Sequence, residues 1–138
     1  DEASRAVSLL TDALGLVAGE PFMGAARHYS WAGPHRNMIV ADVVDAAEEL
    51  AEIHLALGQW REAEWAARQG LLAFPQDERL YRLLMRAAAA AGNTAAVRRV
   101  YGELCGLLSE PGSEVDPGSV LHPDTLSLLQ ELTGPSQP

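Results

Sequence analysis

Lysine is missing from the chain altogether, and cysteine occurs once. All ten cationic side chains are arginines, set against 19 Asp and Glu, so the net charge is −9. Phosphate-backbone binding is mostly electrostatic and needs a basic face, so direct nucleic-acid binding by this chain is not expected. The same charge disfavours anionic membrane surfaces. Cys105 has no partner for an internal disulfide, so stability has to come from packing. A reducing, cytoplasmic setting is the simplest reading of that. Long apolar runs are absent too. The longest of note is Ala87–Ala91, far short of the roughly 18 residues a membrane span needs.

What remains is an ordinary globular composition, 48% hydrophobic and 21% charged over 138 residues, which excludes a disordered tail. The length suits one domain. The first residue is Asp1 and not Met, which reads as a domain excised from a longer protein.

The apolar spacing is helical nearly throughout. Val7, Leu10, Leu14 and Val17 share one face of a helix predicted from about Ala3 to Val17. Gly19, Pro21 and Gly24 break it, and the stretch to Pro34 reads as irregular, with Phe22, Tyr29 and Trp31 available to pack. Asn37 is the expected N-cap of a long helix to about Leu57, with Ile39, Val43, Ala47, Leu50, Ile53 and Leu57 inward and Gly58 as its stop. Further helices are predicted over Trp60–Phe74 and Glu78–Ala91, the second capped by Asp77 and stopped by Gly92. Another, capped by Thr94, runs to about Leu108 with Val97, Val100, Tyr101, Leu104 and Leu108 inward. Glu110–Val120 reads as a loop. A last helix carries Pro123 in its first turn and runs to about Leu132, with Leu126, Leu129 and Leu132 inward. No segment alternates with period two for long enough to make a strand. The fold class is therefore all-α, with residues 1–133 as one helical domain and 134–138 as a tail or linker.

A repeat underlies these helices. Gly58 and Gly92 stand 34 residues apart, as do Leu50 and Leu84, and Ala63 and Val97. That is the tetratricopeptide period. Tyr81, Leu84, Val97 and Tyr101 match the pattern in the second repeat; Leu50, Ala63 and Pro75 match it in the first. Ala47 stands where the large aromatic belongs, His54 where a Tyr belongs and Met85 where a small Gly belongs. A helix pair cannot hide its apolar face alone. Two antiparallel hairpins are therefore expected to stack, with the flanking helices as caps.

The order of parts resembles the bacterial transcriptional activator domain of actinobacterial antibiotic-regulatory-type regulators. The resemblance rests on Leu80-Tyr81-Arg82-Leu83-Leu84-Met85-Arg86-Ala87, Ala91-Gly92-Asn93, Val100-Tyr101-Gly102-Glu103-Leu104 and Leu107-Leu108. It extends to Leu9-Leu10, Gly19-Glu20-Pro21-Phe22, Gly24, Trp31 and the closing Pro123-Asp124-Thr125-Leu126, and so covers roughly residues 7–133. It implies a tetratricopeptide-like module without enzymatic activity that mediates contacts between protein parts, usually following a winged-helix DNA-binding domain.

Catalytic and metal patterns are not found. His28, His35, His54 and His122 form no His-x-x-x-His, and Cys105 no Cys-x-x-Cys, so no metal, cofactor or catalytic residue is assigned. His54 reads as capping an edge of the first repeat, and Cys105 as a small core residue. There is no phosphate-cradling loop and no nucleophile elbow. Phe22 to Trp31 reads as a staple of the first helix to the repeats or, less readily, as a binding loop.

One charge pattern stands out. Asp45, Glu48 and Glu52 share a helix face, Arg79, Arg82 and Arg86 share another, and each acid precedes its arginine by 34 residues. Stacked repeats set these faces side by side on the concave groove. One reading is an inter-repeat ion-pair ladder, favoured because the acids partly quench the arginines. The other is a groove for a protein segment, with the arginines as charge-assisted donors.

Two expectations of function follow. The first is a regulatory interaction module of a larger transcriptional regulator, coupling a DNA-binding or signalling domain to a protein partner, with self-association as one form of that contact. The second places the same scaffold in a non-transcriptional multidomain host, such as a membrane-anchored protein. The chain itself is expected to touch neither nucleic acid nor membrane.

Overall fold

The computed structural model describes residues 2–16, 32–109 and 120–134. Six helices account for nearly all of them: α1 Glu2–Gly15, α2 Ala32–Ala56, α3 Trp60–Ala73, α4 Glu78–Ala90, α5 Thr94–Leu108 and α6 Pro123–Thr133. No strand occurs among the described residues.

Two turns of like build make the two hairpins. Gly58 and Gly92 take φ of 74° and 75°, the left-handed region that a glycine enters without Cβ strain. Beyond each, an N–H reaches back to close a Schellman-type cap: Gln59 donates to the His54 carbonyl at 2.8 Å and Asn93 to the Ala88 carbonyl at 3.0 Å. The turns join α2 to α3 and α4 to α5, and the hairpins stack through α3 against α4 and α2 against α4. The 34-residue period is thus a structural repeat. The outer helices extend the same array: α1 lies on α2 and α3, and α6 on α4 and α5, where the first helix of a third hairpin would stand.

Small side chains set the helix spacing. Ala47, Ala51, Ala63, Ala66 and Ala67 are fully buried where α2 and α3 meet. Larger residues fill the rest: Leu14, Leu50, Leu80, Leu84, Met85 and Leu104 lose nearly all their exposure, each contributing about 1.5–3 kcal/mol. Gly70 is the closest point. A Cβ there would fall 2.6 Å from the Ala47 Cβ and 2.6 Å from a Leu80 methyl, so α2, α3 and α4 converge on a position that only hydrogen fits. The Gln69 amide adds a polar tie, donating to the Leu14 carbonyl at the end of α1.

Several boundaries and faces differ from the expectations. Asn37 does not cap α2; the helix begins at Ala32 and carries Pro34 in its first turn, where a missing N–H costs nothing. The inward stripe of α2 is rotated. Val44, Ala47, Leu50, Ala51 and His54 are buried, whereas Ile39 and Leu57 are exposed and Val43 and Ile53 half-buried. Alanine is small enough to seat a neighbouring helix, so it wins the contact face over bulkier residues. Asn93, not Thr94, caps α5, its side chain accepting from Ala96 N–H at 3.0 Å. On α6 the deepest residues are Thr125 and Leu128, with Leu126, Leu129 and Leu132 half-buried. Asp77 caps α4 as expected, accepting from Leu80 N–H at 3.2 Å. His54 does hold an edge: its Nδ1 lies 2.6 Å from the Gln59 amide oxygen across the Gly58 turn. The expected end of the first helix at Val17, the aromatic segment Phe22–Trp31, His28, and residues 110–119 of the expected loop lie outside the described residues.

Candidate functional site

Helix α2 packs against α4, and α4 against α6. The six residues singled out by the charge pattern lie on the first two of these helices. Asp45, Glu48 and Glu52 lie on α2, the first two within reach of Arg79, and Arg79, Arg82 and Arg86 lie on α4. The structure divides them into three different roles.

Arg79 joins the hairpins. Its guanidinium lies 3.0 Å from a Glu48 oxygen, 3.7 Å from Asp45 and 3.3 Å from Asp77. The hydrogen bond to Asp77 is the main reason its pKa is raised, and the charges of Asp77, Glu48 and Asp45 add to that against the opposing effect of burial. Arg79 therefore takes both α2 acids, the one spaced 34 residues before it and the next. The ladder has one rung, placed between two acids.

Arg82 turns the other way. It donates to the Thr125 hydroxyl at 3.0 Å, and its Nη1 lies 3.9 Å from Glu78. Thr125 is fully buried and donates in turn to Glu78 at 2.7 Å. Glu78 also accepts the backbone N–H of His122 at 3.0 Å, and the His122 ring caps α6 by accepting from Asp124 N–H at 3.1 Å. Glu78, Arg82, Thr125 and His122 thus form a polar clasp that seats the start of α6 on α4. The sequence reading missed Glu78 and Thr125. The available signal was a hydroxyl, Thr125, standing three residues before Leu128 on a face that is otherwise apolar.

Arg86 and Glu52 have no assigned task. Both are exposed, and neither makes a hydrogen bond or ion pair among the described residues.

On the far side, Arg68 of α3 and Glu103 of α5 form a two-pronged pair at 2.8 and 3.3 Å. That bond is the leading cause of the raised Arg68 pKa. Among the described residues no group of three or more His, Cys, Asp or Glu is gathered for a metal. No described helix is long and apolar enough to cross a membrane. Among the described residues, Arg79 and Arg82 are tied to neighbouring helices, whereas Glu52 and Arg86 make no such bond.

No curated protein and no solved structure matches the chain. A family model does, that of the bacterial transcriptional activator domain, over residues 1–123. The matched stretch includes α1 to α5 and stops at the first residue of α6. With most of its length matched, and with stacked helix hairpins of tetratricopeptide type behind that match, the chain belongs to the bacterial transcriptional activator domain family.

Proposed function

We propose that the chain is a non-catalytic interaction module within a larger transcriptional regulator, coupling a separate DNA-binding or signalling domain to a protein partner through the concave face of α2, α4 and α6. The observation that carries this reading is the contrast along one ridge of α4. Arg79 and Arg82 are consumed in holding neighbours together, while Arg86 and Glu52 are exposed and unpaired among the described residues. A partner segment with an acid for Arg86 and a base for Glu52 gains charge-assisted hydrogen bonds without breaking any internal one. The partner is a protein surface, either another domain of the same polypeptide or a second molecule, a copy of this chain included. The net charge of −9 keeps the module itself off nucleic acid. A cytoplasmic setting fits this role and the single thiol.

The test is reporter transcription by the full regulator carrying Arg86→Glu or Glu52→Arg. Activation is expected to fall in both, with DNA affinity and melting temperature unchanged. Activation at the unsubstituted level in both variants would remove the concave face from the function.

A further inference from the structure

A cavity of about 200 Å³ lies between α3 and α5, with α4 beneath it. Ala88 of α4 and Ala91 at its C-cap are too small to fill the space the two helices bracket. Leu84 and Val100, both buried, form an apolar floor, and Trp60 forms one wall. The ring of Trp60 is held in turn by the Arg61 guanidinium 5.0 Å from its centroid. The Arg68–Glu103 pair closes one end with its charges spent on each other.

Two further charges line the mouth, one of which, Glu64, also adds to the field that raises the Arg68 pKa. Glu64 comes from α3 and Arg99 from α5; both line the cavity, both are exposed, and neither is ion-paired among the described residues. A lone anion at Arg99 would meet Glu64 and the field of a chain with net charge −9. A lone cation at Glu64 would meet Arg99. A ligand bearing both signs satisfies the two together, provided an apolar body hangs between them over Leu84 and Val100.

We propose that this cavity binds a free α-amino acid with an apolar side chain, its carboxylate on Arg99, its ammonium on Glu64 and its side chain against Leu84, Val100 and Trp60. The size is apt, since an apolar cavity of about 150 Å³ accommodates a benzene ring. A phenyl or a branched aliphatic group fits the volume. A protein terminus supplies only one of the two charges, because the other is tied up in a peptide bond. The site is separate from the concave face and stands or falls independently of the role given to that face.

The experiment is a titration of the 138-residue chain with L-phenylalanine and L-leucine, followed by two-dimensional NMR. Saturable shifts are expected at the Trp60 indole N–H and at the backbone amides of α5 around Arg99. N-acetyl-L-phenylalanine, which keeps only the carboxylate, and L-phenylalaninamide, which keeps only the ammonium, should each bind about tenfold more weakly or worse. Arg99→Gln and Glu64→Gln should each cost a similar factor with melting temperature unchanged, since both residues are exposed. Three results overturn the proposal. One is the absence of saturable shifts with either amino acid. Another is either blocked analogue binding as well as L-phenylalanine, which would make the cavity a seat for a chain terminus or a simple ion. The last is wild-type affinity in both variants.

Discussion

Arg82 donates to the hydroxyl of Thr125, 43 residues further along the chain, and so leaves Glu48 to Arg79. This choice sets the architecture of the concave face. Had Arg82 paired with Glu48, α4 would have a second tie to α2, and Glu78 alone would hold the start of α6 by hydrogen bonds. Instead α4 spends one arginine on the helix before it and one on the helix after it. The second repeat thus links the first repeat to α6.

Thr125→Val should therefore loosen α6 in particular. The valine keeps the volume and removes both bonds of the hydroxyl, leaving Glu78 and Arg82 each one partner short at a half-buried contact. A loss of about 1–3 kcal/mol follows from stranding such groups. Urea denaturation measures it, and hydrogen exchange locates it. Amides of α6 should exchange faster while those of α2 and α3 hold. Unchanged protection in α6 would mean that Leu121 and Leu128 seat the helix without help.

Double-mutant cycles separate the two arginines. Glu48 with Arg79 should show coupling, but only about 0.2–1 kcal/mol, since the Arg79 side chain is 45% exposed and solvent screens the pair. Glu48 with Arg82 should show none. A coupled Glu48–Arg82 pair would restore the ladder that the repeat spacing suggests.

The parts of this fold that sequence makes legible are those set by local chemistry. Gly58, Gly92 and Asp77 act within a turn or two of themselves, and each does what its residue type and position imply. The same holds for the 34-residue register, because both hairpins use the same Schellman closure. The inward face of α2 is a different matter. Ile39 and Leu57 look more apolar than Ala47 and Ala51, yet the alanines are buried, because close helix approach rewards small volume and not hydrophobicity alone. The partner of Arg82 is further out of reach. It depends on where α6 lands after a Gly- and Pro-containing stretch, and no spacing rule relates Thr125 to Arg82. Arg79 and Glu48 were recognisable as members of one charge set, though not as each other's partners.

Gly70→Ala tests the convergence of α2, α3 and α4. In an open helix this change would stabilise, but here the added methyl would sit 2.6 Å from the Ala47 Cβ and 2.6 Å from a Leu80 methyl. Leu80 can rotate away; a Cβ on a packed helix moves only with its backbone. Overpacking of this kind costs about 1–3 kcal/mol. Adding Ala47→Gly should recover part of the loss, and a pair of additive losses in denaturant midpoints would show that the two positions do not meet.

Gly102→Ala should act in the opposite sense. Gly102 lies inside α5, and a Cβ there would enter open space. The glycine weakens the helix without serving internal packing, so alanine should raise stability by about 0.5–1 kcal/mol. Gly58→Ala has as much room but a φ of +74°, so it should lose stability by about 1 kcal/mol. The two melting temperatures should move apart from that of the parent, and movement in the same direction would contradict the assignment of either glycine.

Alkaline unfolding should report Tyr81. Its side chain is only 4% exposed. Desolvation raises its pKa above the ordinary 10.0, Glu103 adds to the rise, and the Arg68 guanidinium works against it. The folded state therefore holds the phenolic proton more tightly than the unfolded chain does. Below the unfolded value both states are protonated and the tyrosine's contribution is whole. As pH climbs past about 10 the unfolded chain releases its proton first, and stability falls until the folded-state value is passed. Urea midpoints measured from about pH 8 to about pH 11 should decline in the parent and decline less in Tyr81→Phe, which has no proton to lose. Equal slopes in the two proteins would mean that the phenol reaches solvent more freely than its burial between Arg68 and the core allows.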